Sequence, residues 1–138
     1  MALFDAFAVS GSGMTVARQW MDAVGDNLSN MNDATSTDKA AFQARYVQAQ
    51  ARDYGNESSG APGGVDAVGI QLGDPAGRIV NEPDNPLADA NGNVRYPDID
   101  MSEQMGHLII AQRSYQANAS AVDRAKTSYE AAINIGAK

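Results

Sequence analysis

The chain has 138 residues, no cysteine, a formal net charge of −7 and a sequence pI near 4.4. This length suits one modest or elongated domain, and the acidity argues against a phosphate-binding surface and so against nucleic acid as a partner. The lack of cysteine excludes disulfides, thiolate metal sites and thiol catalysis, no apolar run reaches the length of a membrane span, and the N-terminus lacks the marks of a secretory signal.

Charge divides the chain. Residues 53–100 carry nine acids and two bases, against five and four in residues 1–52 and three and four in residues 101–138. Nearly neutral ends and an acidic middle are expected to fold as packed ends and a solvated centre. The fold class expected is mainly α: two long terminal helices in an antiparallel coiled-coil pair around a small, irregular, β-hairpin-containing middle. The units are residues 1–35, 36–99 and 100–138.

Steps of alternately four and three residues along the N-terminal part reach Leu3, Phe7, Ser10, Met14, Ala17, Met21, Val24, Leu28 and Met31. All but Ser10 are apolar, so the stretch reads as a helix with one buried seam. Gly11, Gly13 and Gly25 weaken it by about 1 kcal/mol each against Ala. The run Ser10-Gly11-Ser12-Gly13 is a place for a kink or break, and Trp20 beside the seam widens the buried face. Asn32 to Asp38 then reads as a helix stop and loop.

Ala41 to Ala51 alternates at Phe42, Ala44 and Tyr46 as a strand does, yet its Ala and Gln content permits helix. An extended start continuing as helix is expected. Residues 53–64 form a Gly- and Ser-rich flexible loop. Val65 to Leu72 alternates as a strand, Asp74 to Gly77 is a turn, and Arg78-Ile79-Val80 is a second strand, which together predict a hairpin. Residues 81–98, with three prolines, read as an irregular acidic connector.

The C-terminal helix, Met101 to Ile135, is the element around which the rest is arranged. The same walk gives Met101, Met105, Leu108, Gln112, Tyr115, Ala119, Val122, Lys126, Tyr129 and Ile133. Such a helix is roughly 50 Å long at 1.5 Å per residue. Asp100 with Glu103 makes a capping box, Gly136 is expected as the C′ residue, and Lys138 complements the dipole. Gln112 and Lys126 are the polar seam positions, suited to fixing register with a partner helix. Each terminal seam is the nearest cover for the other. Periodicity alone does not separate a self-contained helical hairpin from a subunit whose helices also pack on neighbours.

Chemistry finds little footing. The connector segment Asp89-Ala90-Asn91-Gly92-Asn93 invites a calcium- or ligand-binding reading, but with Gly92 at loop position 6 an EF-hand would need ligands at Leu87 and Asp98, and the pattern fails. A polar turn is the simpler reading. His107 is the only histidine and lies off the seam. No serine has an arranged base, and the carboxylates of residues 53–100 lie on loops, which support acid–base pairs poorly. No catalytic residue, cofactor site or metal site is expected. The seam methionines read as interface filler rather than as a promiscuous groove.

The segment from Tyr96 to Gly136, above all RSYQAN at Arg113, Ser114, Tyr115, Gln116, Ala117 and Asn118, resembles the C-terminal signature of the bacterial flagellar rod and hook axial proteins. NLSNMN from Asn27 to Asn32 is similar to the family's Asn-Leu-Ala-Asn motif, carried here by Asn27, Leu28 and Asn30 with Ser29 in place of Ala. The family's Thr-Pro-Gly-Tyr turn is absent; ATSTDKAAFQARY stands there. The short length, NPLADANG at Asn85 to Gly92 and the middle GVDAVGIQLGD fit the short proximal-rod members.

The resemblance implies a non-enzymatic structural subunit of the proximal rod in the flagellar basal body, crossing the periplasm. Its terminal helices would stack into a hollow helical drive shaft. It also implies passage in unfolded form through the flagellar type III export apparatus, and as partners further copies of the chain, FlgB, FlgF, FlgG and the adaptor FliE.

Overall fold

The structure, a computed structural model, describes residues 2–52 and 63–136. Two helices, α1 (Ala2–Asn30) and α2 (Met101–Gly136), of 29 and 36 residues, dominate it. Between them lie four strands: β1 (Arg45–Ala51), β2 (Val65–Leu72), β3 (Arg78–Asn81) and β4 (Asn93–Tyr96). The architecture is mainly α, with two small antiparallel strand pairs in the middle. The expected loop over residues 53–64 falls, at residues 53–62, outside the described residues, as does Lys138.

The start of α2 is held as its sequence dictates. The Asp100 carboxylate accepts from the Glu103 amide at 2.8 Å, filling one donor that the first helical turn leaves open. At the far end the helix runs through Gly136 rather than stopping before it.

α1 is continuous across Ser10 to Gly13, where a kink or break was a candidate. The Ser12 hydroxyl donates to the Val9 carbonyl at 2.7 Å and accepts from the Val65 amide at 3.1 Å. Gly13 faces α2 so closely that a Cβ there would lie 2.8 Å from the Asn118 side-chain amide. The small residues therefore admit neighbours on two sides of an unbroken helix.

Two strand expectations change. Residues 45–51 form β1 and not helix; the alternation of the segment outweighs its Ala and Gln content once a partner strand is available. β2 occupies the predicted residues, but it pairs with β1 rather than with Arg78–Val80. The register sets Arg45 opposite Leu72 and Val47 opposite Ile70, with an irregularity at Gln48/Ala49. β1 offers seven residues of ladder where β3 offers four. Gly77, at φ 56°, packs against the Tyr96 carbonyl and directs β3 onto β4, with Ile79 opposite Arg95. The stretch over residues 81–98 is thus not wholly irregular, since it contains β4.

Burial is concentrated in two places. Ala17, Ala23 and Val24 of α1 and Ala111 of α2 are buried along the helices, and Ala41, Ala44, Val94 and Ile99 are buried in the stretch between them. Arg95 ties the middle segment together: its side chain donates to the Ala76 and Thr37 carbonyls, and its backbone bridges to Thr35. The contacts between the helices run in opposite order along the two. Phe4 meets Tyr129 with ring centroids 6.2 Å apart, Gly13 meets Asn118, Trp20 meets His107 at 5.8 Å, and Asn27 meets Gln104.

Candidate assembly interface

Along α1 the expected seam lies inward. Ala17 and Val24 are buried, Ser10 also, while Phe7, Met14, Met21, Leu28 and Met31 are half-buried. Leu3 lies in α1, with its side chain outside the described residues.

On α2 the expected line is split. Leu108, Tyr115, Ala119 and Val122 are half-buried, whereas Met101, Met105, Gln112, Lys126, Tyr129 and Ile133 are exposed. The fully buried positions are Gln104 and Ala111, neither on the walk. The line that faces α1 runs Gln104, Leu108, Ala111, Tyr115, Asn118, Val122, itself a 4-3 repeat rotated by part of a turn from the expected one. Lys126 does not sit in the seam of this chain but reaches Glu130 at 3.9 Å along the surface, and Gln112 is exposed.

The rotation has a polar cause. Asn27 is completely buried. Its side-chain amide pairs with the backbone of Arg45 as a strand neighbour would: Oδ1 accepts from the Arg45 amide at 2.7 Å, and Nδ2 donates to the Arg45 carbonyl at 3.0 Å. Nδ2 also donates to Oε1 of Gln104 at 2.9 Å. One side chain thus joins α1, the start of β1 and the first turns of α2. A buried amide left without these partners is costly, so the pair fixes which face of α2 turns inward. Arg45 adds an ion pair to Asp26, one residue before Asn27.

The other motif residues divide by face. Asn30 caps back onto the Asp26 carbonyl at 2.7 Å. In RSYQAN, Ser114, Tyr115 and Asn118 are half-buried, whereas Arg113, Gln116 and Ala117 are exposed. Asn118 donates to the Ser114 carbonyl at 2.8 Å while its amide lies over Gly13.

Sequence reasoning missed Gln104, and missed Ser12 as an anchor for the strand pair. The signal for Gln104 was present: it opens a second 4-3 repeat that contains Leu108 and Tyr115, though with Gln and Asn in it the repeat looks less apolar than the one chosen.

The acidic connector uses its oxygens internally. Oδ1 of Asp89 accepts from the amides of Asn91 at 2.8 Å and Asn93 at 3.0 Å, and Oδ2 accepts from the Thr37 hydroxyl at 3.0 Å. The Asn93 amide, then the Asn91 amide, holds the carboxyl below its ordinary pKa, with the Thr37 hydroxyl adding to them against the opposing effect of desolvation. Gly92, at φ 77°, closes the turn. Among the described residues no three His, Asp or Glu side chains gather as metal ligands. No helix among them is long and apolar enough to cross a membrane.

Two long helices, with a polar clamp at one end and apolar side chains of α2 left open, offer surface that suits a structural, assembling protein. Residues 90–135 match the family described as flagellar basal body rod FlgEFG protein C-terminal. Over its full length the chain is similar to proteins named flagellar basal-body rod protein FlgC. It is 35% identical over 138 residues to that of Yersinia enterocolitica and 33% over 136 residues to that of Escherichia coli O6:H1. It is 29% identical over 149 aligned positions to that of Bacillus subtilis. In all three comparisons 99% of each chain is covered. The chain belongs to the FlgC family of flagellar basal-body rod proteins. It is a structural subunit of the basal-body rod, and it assembles with other rod components.

Proposed function

We propose that the chain is a proximal-rod subunit whose helices act as an antiparallel coiled coil and stack with those of neighbours into a hollow drive shaft crossing the periplasm. The observation that carries this reading is the exposed apolar flank of α2. Met101, Met105 and Ile109 follow one another at four-residue spacing and are 45–54% exposed. One copy leaves this surface uncovered, and a neighbour in the rod would cover it. The interface then comprises the seam positions from Leu3 to Met31 and from Met101 to Ile133, some used within the subunit and some between subunits. The assembling ends are residues 1–35 and 100–138, and residues 36–99 ride outside.

The role is mechanical, without catalysis. Expected neighbours are further copies, FlgB, FlgF, FlgG and the adaptor FliE. Delivery is in unfolded form through the flagellar type III export apparatus. Residues 126–136 of α2 are exposed throughout, so their burial free energy is released only when a partner arrives, which couples folding to assembly.

Deleting the gene in its host and probing purified basal bodies tests the reading. Loss of hooks and swimming, with the protein present in wild-type basal bodies, is the expected result. Normal hooks and no basal-body signal would refute it.

A further inference from the structure

Two surfaces, on the reading that the chain is an assembling rod subunit, find no partner within one copy. The first lies on α2. Gln104 and Ala111 mark the face turned to α1; at 100° per residue Ile109, Ile110 and Arg113 fall on the side turned away. The isoleucines are 47% and 52% exposed. Arg113 is exposed and has no ion pair among the described residues.

The second is a groove of about 350 Å³ between α1 and the β1–β2 pair. Ala23, Val47, Ala67 and Ile70 supply its apolar lining, and Asp22 and Asp26 its acidic side. Arg45 neutralises Asp26. Asp22 is exposed and unpaired among the described residues.

We propose that this groove receives Ile109 and Ile110 of a second copy of the chain, with the incoming Arg113 paired to Asp22 of the receiving copy. Three observations select that occupant. The apolar parts match in kind, two branched side chains against a lining of Ala, Val and Ile. The charges match in sign. Pairing like surfaces would bring Arg113 towards Arg113, or Asp22 towards Asp22, which repulsion disfavours. A contact between two different patches of one chain is heterologous, so it repeats from copy to copy and yields a ring or a helical array. That is the geometry a rod subunit needs. RSYQAN then has a division of labour: Tyr115 and Asn118 hold α2 to α1, and Arg113 addresses the next copy.

The natural chain has no cysteine, so engineered thiols report cleanly. An Ile109→Cys allele and an Ile70→Cys allele are expressed together in a host lacking its own copy, and basal bodies are purified and oxidised. A disulfide-linked dimer containing both alleles, absent when either is expressed alone, is expected. Separately, Arg113→Glu and Asp22→Arg should each lower the fraction of hook-bearing cells about tenfold, and the double reversal should restore it. If both cysteine alleles enter basal bodies and no such dimer forms, or if the double reversal fails to rescue, the docking is wrong while the rod reading stands. If the wild-type chain is missing from basal bodies, the rod reading itself has failed.

Discussion

Asn27, itself fully buried, satisfies both ends of its amide with three partners on two other elements. Asn27→Leu keeps the branching at Cγ but leaves the Arg45 amide, the Arg45 carbonyl and the Gln104 side chain without that partner. Each buried group left unsatisfied costs about 1–3 kcal/mol, so the variant should lose a large part of its stability in urea unfolding. Asn27→Asp still accepts from the Arg45 amide and tests whether the donated bonds matter. Asp89 gives a pH test. Its folded pKa lies below the ordinary 3.8, so the ionised carboxylate stabilises the connector above that value. The contribution is lost as pH falls through the lower, folded pKa. The 1H–15N resonances of Asn91 and Asn93 should move together over that acid range, and Asp89→Asn should abolish the coupled titration.

At the level of the element, the glycines of α1 are not equivalent. A Cβ on Gly13 would lie 2.8 Å from the Asn118 amide, while one on Gly25 would meet nothing within 4 Å. Gly25→Ala should therefore stabilise the isolated protein by about 1 kcal/mol through helix propensity alone. Gly13→Ala gains the same propensity but must displace the Asn118 side-chain amide, which donates to the Ser114 carbonyl, and is expected to stabilise less than Gly25→Ala; thermal unfolding of the two variants side by side decides it. The strand pairs follow a similar logic of local contact. β2 carries its own alternation, but its partner is chosen by length and by where the Gly77 turn sends the chain.

For the whole molecule, the helix pair is the part that both folds the chain and faces its neighbours. Leu108→Asp or Val122→Asp places a carboxylate in the half-buried line against α1, where a charge without a partner is strongly disfavoured. Either variant should abolish rod assembly, scored as cells without hooks. Hooks at normal number would mean that this line is not essential. A conservative control, Leu108→Met, should assemble normally, because volume and polarity are kept.

Two long terminal helices, the strand over residues 65–72 and the Asp100 cap were legible from periodicity and capping residues, because those signals are local. So was the family, since RSYQAN and the Asn27 motif are contiguous. The rotation of α2 was not. Two 4-3 repeats run side by side on that helix, and the more apolar one was the natural choice. Which of them faces α1 depends on a hydrogen bond between residues 27 and 104 and on the fit of Asn118 over Gly13. The partner of β2 was equally invisible, because it lies across a long connection and depends on the turn at Gly77. Sequence by itself determined the two terminal helices, the strand over residues 65–72 and the apolar repeats they carry, but neither β1, expected to continue as helix, nor β4. Tertiary structure alone decided which surface meets which, because that choice rests on contacts between residues far apart in the chain.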